Sequence, residues 1–205
     1  QQIAPVKVMQ AFEPVTTSRF SDSSYVFDMG QNASAIPQIT VRGKRGDTIQ
    51  LVPAELMQAS GKVNQKASGS PHYYQYVLKG DGEESWQPKF TYYGFRYIQV
   101  NGAVPKDSVN NGLPEIVSIK SLHVRNSTDS VGSFSCSNEL FNKSFDLINW
   151  AIKSNTVSLF TDCPHREKLG WLEEAHLVGT SVQYNFDIAT LGRKEIDDMR
   201  YSQTR

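Results

Sequence analysis

The sequence predicts a multidomain fold of the β plus α class, an antiparallel β-sandwich followed by helices. Three observations predict it. Over residues 1 to about 125, apolar and polar side chains alternate with a period of two, which is typical of half-buried strands. Turn-forming Gly, Asn and Asp residues separate the alternating runs. Near residue 135 the apolar spacing changes to the helical period.

The alternating runs predict a series of short strands. The clearest are Tyr25–Met29 and the runs at 39–41, 49–51, 74–78, 95–100 and 117–124. Turns are expected between them, at 43–47, 80–82, 101–102 and 110–112. Many short strands at this spacing are typical of a sandwich rather than of a parallel sheet.

Helical spacing predicts three helices in the second half. Ser137 is the expected N-cap of the first helix, with Glu139 in its first turn, and the apolar stripe continues to about Asn155. The second helix is expected at 172–184 and the third at 189–205, with Asp187 near its cap. Because the third helix reaches the last residue without a stop signal, we expect the sequence to be cut inside a helical domain. The expected domains are a β-sandwich at 1–128 and a truncated helical domain at 129–205.

Composition and charge exclude several classes of partner. Hydrophobic residues make up 39% of the chain, which is enough for a core, and Lys plus Arg equals Asp plus Glu at 21 each. A neutral chain without a basic run gives no electrostatic reason to expect nucleic acid or an anionic membrane surface as a partner. No apolar run approaches the roughly 18 residues of a spanning helix. Cys136 and Cys163 are expected to be buried free thiols rather than a disulfide.

The segment at 161–176, TDCPHREKLGWLEEAH, is the most informative part of the chain. Sugar cleavage needs one carboxylic acid to protonate the leaving oxygen and a second carboxylate to activate water or attack carbon. Such a dense group of charges could also be a solvated helix face. However, Cys163-Pro164 interrupts any helix, and Gly170-Trp171 sets a bulky indole after a flexible residue. The segment is therefore predicted to be a shaped loop that carries these candidate residues: Asp162, His165, Arg166, Glu167, Lys168, Trp171, Glu173 and Glu174.

Other functional interpretations of single residues are weaker. Cys163, His165 and His176 match no standard zinc spacing, and Cys163 lacks the setting of a nucleophilic cysteine. Strand aromatics could line a sugar-binding face, but they more often fill a core, so core filling is favoured. That expectation covers the following residues: Tyr73, Tyr74, Tyr76, Tyr92, Tyr93, Phe95 and Tyr97.

Three motifs together resemble the bacterial α-L-rhamnosidase family of inverting glycoside hydrolases. They are VFDMGQN at 26–32, PKFTYYGFRY at 88–97 and TDCPHREKLGW at 161–171. Their order and spacing agree with the family over nearly the whole chain. The resemblance implies a concanavalin-like β-sandwich followed by an α/α barrel of six helical hairpins, of which only the opening helices are present here.

The resemblance also implies roles for individual residues. Glu167, four residues before Trp171, takes the position of the general acid. Asp162 and Arg166 match residues that line the sugar pocket, and Trp171 matches an aromatic that packs against rhamnose. Glu174 stands where many members carry Asp, so it is an alternative acid or a sugar-binding residue. Two departures, GWLEEA for GWTGDA and one residue fewer between Asp162 and Glu167, leave the choice between the two acids open.

The expected activity of the parent protein is the hydrolysis of terminal α-L-rhamnosides in oligosaccharides, polysaccharides or glycosides. The chemistry requires no metal or organic cofactor, and the general base of the family lies later in the barrel. Neither nucleic acid nor membrane is expected as a partner. The alternative is that the β half is a carbohydrate-binding or scaffolding module without catalysis. The isolated chain is expected to be inactive, with its helical part poorly ordered, self-associated or covered by another chain.

Overall fold

The computed structural model describes residues 3–69, 71–109 and 112–203. The chain divides into two compact units, one made of residues 10–123 and the other of residues 1–9 with 124–205. The domain boundary expected at 128/129 stays a prediction. In the described ranges, no helix is long and apolar enough to cross a membrane.

The strands form one large sheet and one small hairpin. The order in the large sheet is β1-β11-β3-β9-β4-β7, with β2 and β8 also paired to β3 and β10 paired to β11, while β5 and β6 pair with each other. All pairings of β3 and β4 are antiparallel. The bounds are β1 Val6–Phe12, β2 Thr16–Ser21, β3 Ser24–Arg42, β4 Thr48–Ala54, β5 Leu56–Met57, β6 Val63–Asn64, β7 Tyr74–Val77, β8 Glu83–Trp86, β9 Tyr93–Asn101, β10 Val104–Pro105 and β11 Glu115–Asn126.

The prediction of a short strand at Tyr25–Met29 is wrong in length. That run and the run at 39–41 belong to one strand of 19 residues, β3. The strand continues because its register against β9 shifts between Asp28 and Ala33, where Gly30 has a φ of 79° that a larger residue would rarely adopt. Such a bulge looks like a strand end in the sequence. Six strands were not predicted, namely β1, β2, β5, β6, β8 and β10. The expected turn at 110–112 lies partly outside the described residues.

Alternation along the central strands builds the core of the β unit. Ile49 and Leu51 of β4 and Ile98 and Val100 of β9 are fully buried in one cluster. Because successive side chains of a strand point to opposite faces, Gln50 and the other intervening residues face away from this cluster. Core filling by strand aromatics is confirmed for the buried residues Tyr74, Tyr93 and Phe95. It is wrong for Tyr73, which is 54% exposed.

An ion pair between two of the sequence motifs joins β3 to β9. Arg96 donates from Nε to Asp28 Oδ1 and from Nη2 to Asp28 Oδ2, both at 2.8 Å. Asp28 Oδ1 also accepts the Gly30 N–H at 2.8 Å, so the same carboxylate fixes the bulge. The hydrogen bond from Arg96 is the main reason why the pKa of Asp28 is lowered; burial opposes it, and the Gly30 N–H adds to it. The Asp of FDMGQN and the Arg of GFRY therefore have a structural role.

We expect Arg96→Met to destabilise the protein by about 1–2 kcal/mol, because a bidentate, half-exposed pair is lost. A lowered pKa means that Asp28 contributes stability above its ordinary pKa and loses it as pH falls through the lowered value. The variant should therefore lose less stability than the parent protein as pH falls below about 4, the ordinary pKa of an Asp carboxyl. Urea unfolding at several pH values measures both effects. An unchanged acid dependence would contradict the assigned role, and Arg19→Met, at an exposed surface pair, is the control.

The second unit contains three helices in its described part. They are α1 Glu139–Asn155, α2 Leu172–Asn185 and α3 Ala189–Ser202. The predicted N-cap Ser137 is wrong by one residue, because the Oδ1 of Asn138 accepts the Leu140 N–H at 2.9 Å. Asp187 Oδ1 accepts the Ala189 N–H at the start of α3, as expected. The predicted extension of α3 is wrong for Gln203, which is not helical, and residues 204–205 lie outside the described ranges.

The helices bury only a small apolar cluster. It comprises Phe160, Val182, Phe186, Ile188 and Leu191. Large apolar side chains elsewhere on the helices remain more than half exposed, namely Leu140, Phe141, Leu147, Ile148, Leu172, Leu177, Tyr184, Ile196 and Tyr201. Both cysteines are free, but the expectation that they are buried is wrong: Cys136 is exposed in the segment before α1, and Cys163 is half-buried.

Candidate active site

The predicted loop between α1 and α2 is closed into a ring by its own backbone. Thr161 N donates to Asn155 O at 2.9 Å, which fixes the loop to the end of α1. Asp162 N then donates to Leu169 O at 3.1 Å, and the Leu169 N–H returns to Asp162 Oδ1 at 3.0 Å. This reciprocal pair closes a ring over residues 162–169. A shaped loop was predicted, and the structure has one.

Asp162 and Cys163 hold the inside of this ring. Cys163 Sγ donates to Asp162 Oδ2 at 3.3 Å and accepts the Glu167 N–H at 3.2 Å. Burial acts to raise the pKa of Asp162, but the N–H of Leu169 and the thiol of Cys163 outweigh it, so the pKa is lowered. Asp162 is therefore a carboxylate that shapes the loop. Hydrogen bonding also occupies the Cys163 sulfur, which the sequence had offered as a metal ligand or nucleophile.

Glu167 is held at the surface of the ring by Arg166. Arg166 Nη2 lies 2.7 Å from Glu167 Oε1, and the two side chains are 55% and 35% exposed. The hydrogen bond to Glu167 is the main cause of a raised pKa for Arg166. The next residue, Lys168, has a φ of 54°, a left-handed conformation that costs a non-glycine residue about 1 kcal/mol. This turn brings Leu169 back to Asp162, and Glu167, the residue before the turn, remains exposed.

Lys168 is half-buried, and this burial lowers its pKa. Glu173 and Glu174 lie in the first turn of α2, and the ion pair of Glu167 is with Arg166. The structure therefore brings together Asp162, Cys163, Arg166 and Glu167. It does not bring the two α2 acids into direct contact with Glu167.

Trp171 lies just beyond the ring, as the residue that precedes α2. Its indole is 52% exposed and lines a groove of about 810 Å³ with Leu159, Phe160, Met199 and Tyr201. A side chain at Gly170 would overlap that of Leu159, which explains the glycine before this tryptophan. An exposed indole beside an apolar groove is suited to stack on the apolar face of a sugar ring.

Glu195 lines the same groove, and the sequence analysis missed it. It is 8% exposed, and its Oε1 accepts the Phe160 N–H at 2.6 Å. Burial raises its pKa, although the Phe160 N–H opposes the shift. It therefore connects α3 to the strand-like start of the loop. One signal could have found it: Glu195 is four residues after the buried Leu191, so it lies on the apolar face of α3.

In the part of the chain that the structure describes, no three His, Cys, Asp or Glu side chains are placed to hold a metal ion. His165 and His176, which the sequence had offered together with Cys163, lie on the ring and on α2 respectively.

Comparison with known proteins assigns both units. Residues 18–125 match the family model described as the bacterial alpha-L-rhamnosidase concanavalin-like domain. Residues 129–205 match the bacterial alpha-L-rhamnosidase 6 hairpin glycosidase domain. A concanavalin-like β-sandwich followed by helices of a six-hairpin domain is an architecture of glycoside hydrolases. The chain belongs to the bacterial α-L-rhamnosidase family, which confirms the resemblance and the predicted fold class.

Relatives agree over almost the whole chain. An α-L-rhamnosidase of Formosa agariphila is 36% identical over 206 residues, which cover 98% of this chain and 21% of the relative. The structure of α-L-rhamnosidase from Dictyoglumus thermophilum matches 100% of this chain and 23% of its own, with a TM-score of 0.91 and 33% identity. The native enzyme from Aspergillus terreus matches 98% of this chain and 23% of its own, with a TM-score of 0.87 and 32% identity. This chain thus spans about a fifth of the length of these relatives.

Proposed function

We propose that the protein containing this chain hydrolyses terminal α-L-rhamnosides with inversion, and that Glu167 is its general acid. The observation that carries the acid assignment is the exposed carboxyl of Glu167 on a ring whose shape Asp162 fixes. In an inverting reaction the acid protonates the glycosidic oxygen while a second carboxylate activates water on the opposite face of the sugar. That base is a glutamate of the later barrel helices.

Arg166 has two effects on the proposed acid. Its guanidinium stabilises the carboxylate that remains after Glu167 has given its proton to the leaving group. It reaches Glu167 from a half-exposed position through one hydrogen bond, which uses one of its five N–H donors. The remaining donors can bind sugar hydroxyls, which is the role proposed for Arg166.

Asp162 and Trp171 are the proposed substrate-binding residues. The carboxylate oxygens of Asp162 each accept one bond within the loop, and their remaining lone pairs can accept from sugar hydroxyls. Trp171 offers its exposed face to the ring of rhamnose. Glu195 is the proposed positioning residue, because it anchors Phe160 at the start of the loop. Glu174 remains the alternative acid or a further sugar-binding residue.

The substrate class rests on the relatives. Proteins named α-L-rhamnosidase match this chain, and a Streptomyces avermitilis relative that is 28% identical was solved in complex with L-rhamnose, with a TM-score of 0.89. We propose a rhamnose-containing glycoside, oligosaccharide or polysaccharide as the substrate. We also keep the proposed domain division at 128/129, which is supported by family matches that end at 125 and begin at 129.

The reaction can be tested by following the anomer of the first product. The whole protein is incubated with an aryl α-L-rhamnoside, and proton NMR spectra are recorded before mutarotation equilibrates the sugar. Inversion predicts that β-L-rhamnose appears first and the α anomer follows. Initial formation of the α anomer would contradict inversion, and no hydrolysis above an enzyme-free control would contradict the activity.

A further inference from the structure

A second groove lies on the β unit, on the face of β4 and β9 that points away from the core. Its volume is about 960 Å³. Gln50 of β4 and Gln99 and Asn101 of β9 form its floor, and they alternate with the buried residues Ile49, Leu51, Ile98 and Val100. Residues within the ranges 57–69 and 71–73 form the opposite wall. We call this feature the amide groove.

Hydrogen bonds fix the three amides of the floor. Gln99 Nε2 donates to Asn101 Oδ1 at 2.9 Å, and Asn101 Nδ2 donates to Gln50 Oε1 at 2.9 Å. Ser24 Oγ adds a bond of 2.7 Å to Asn101 Oδ1. Gln99 is 4% exposed and also accepts the Val63 N–H through Oε1 at 3.3 Å. The network thus runs outward from a buried amide to Gln50, which is half-buried at the groove surface.

The wall opposite the floor is also held in place. Gln65 donates from Nε2 to the carbonyls of Pro53 and His72, both at 2.7 Å, and its Oε1 accepts the His72 N–H at 3.1 Å. These bonds tie the segment back to β4. Tyr73 follows directly and is 54% exposed on the groove. The groove is therefore preformed, with an aromatic ring at its rim.

The charges around the groove are of one sign. Lys62 and Lys66 line it and are exposed, and no Asp or Glu is among its described lining residues. An amide offers two donors and one acceptor, which matches the paired hydroxyls of a sugar, and a tyrosine face packs on the C–H groups of a pyranose. The two ammonium groups add attraction for an anion.

We propose that the amide groove binds an anionic oligosaccharide, one that carries carboxylate or sulfate groups. Gln50 contacts the sugar hydroxyls, Tyr73 stacks on one ring, and Lys62 and Lys66 pair with the anionic groups. Binding here uses no residue of the 161–171 loop, so the inference goes beyond the proposed hydrolysis and does not depend on it.

Isothermal titration calorimetry on the whole protein tests the proposal. The probes are a tetramer of galacturonic acid, its fully methyl-esterified neutral form, and a sulfated galactose tetramer. None of them contains rhamnose, so binding does not report on the proposed active site. We expect the uronate, the sulfated tetramer or both to bind at least about tenfold more tightly than the neutral form. Lys62→Gln with Lys66→Gln should remove that preference.

Two groove variants locate the binding. Gln50→Ala with Tyr73→Ala should weaken it at least about tenfold, and Ala59→Trp, at an exposed lining position, should block the groove without touching the network. Gln183→Ala with Tyr184→Ala is the matched control, an exposed Gln–Tyr pair on α2 that should leave binding unchanged. Thermal unfolding verifies that each variant is folded. The proposal is overturned if neither of the two anionic probes binds, or if binding survives in both groove variants.

Discussion

Replacing Glu167 by Gln in the whole protein is expected to lower kcat for α-L-rhamnosides about 10²- to 10⁴-fold, the contribution typical of a positioned general acid. The amide keeps the size of the side chain and one oxygen that can accept from Arg166, but it has no proton to give. The loss should therefore be in kcat, with little change in folding. Steady-state kinetics and thermal unfolding measure the two quantities.

The leaving group provides a sharper version of this experiment. A nitrophenolate departs with little protonation, whereas a sugar or alkyl alcohol needs the proton. The fold-decrease in kcat caused by Glu167→Gln should consequently be several times larger for an alkyl rhamnoside than for a nitrophenyl rhamnoside. A variant that only disturbs folding or binding would slow both substrates by the same factor, so the ratio identifies the acid role.

Glu173 and Glu174 supply matched controls, because both are carboxylates in the first turn of α2. Glu173→Gln is expected to change kcat only slightly. If Glu174→Gln reproduces the leaving-group dependence and Glu167→Gln does not, Glu174 is the acid and the proposed assignment is wrong. If Glu174→Gln raises KM with little change in kcat, Glu174 is a sugar-binding residue.

The sequence predicted those parts of the fold that local patterns determine. Alternation around Ile49 and Leu51 identifies β4, and the helical spacing of apolar residues from Leu140 to Ile152 identifies α1, because side chains on one face repeat every two residues in a strand and about every 3.6 residues in a helix. The full length of β3 could not be predicted in this way, because its continuity depends on a bulge at Gly30 that Asp28 and a distant Arg96 stabilise. The N-cap of α1 was misassigned because Ser137 and Asn138 are adjacent and both can cap.

The candidate site was predictable to the extent that it lies within one segment. The charged cluster and the Pro and Gly around it indicated a shaped loop, and the family resemblance gave the individual roles. What no local pattern could give is the connection of the loop to α3. Glu195 binds the backbone of Phe160, 35 residues away in sequence, and no motif joins the two. Contacts between residues far apart in the chain are formed only by the fold.

The charged residues of the motifs divide into those with a structural role and the one proposed for catalysis. Asp28 and Arg96 hold two strands together, and Asp162 closes the ring that presents Glu167. These charged residues make hydrogen bonds to the backbone or to each other. Replacing one of them would therefore lower the stability of the fold or change the conformation of the loop, and any effect on the reaction rate would be indirect. The Glu167 carboxyl instead pairs with the neighbouring Arg166 at the exposed surface of the ring. That difference is why a substitution at Glu167 tests the mechanism cleanly.

The 205 residues expressed alone are expected to show no hydrolysis of an aryl α-L-rhamnoside above background. An inverting glycosidase needs two carboxylates across one pocket, and these residues span only about a fifth of the length of the relatives. The groove beside Trp171 is open, with its apolar lining facing solvent. Without a base and a closed pocket, Glu167 has neither an activated water nor a dehydrated setting in which to act.

The same 205-residue protein can be used to test whether the helical unit is ordered and whether it self-associates. Apolar side chains on all three helices, such as Leu147, Leu177 and Ile196, are more than half exposed. An unpaired helix face of this kind normally meets another element, so the isolated helices should either be poorly ordered or associate with a second copy. Analytical ultracentrifugation and hydrogen exchange distinguish the two states, with slow exchange in β4 and β9 as the internal reference. Robust hydrolysis by a monomer with protected helices would show that the catalytic site is complete within these residues, and Glu167 would then need a base from this chain.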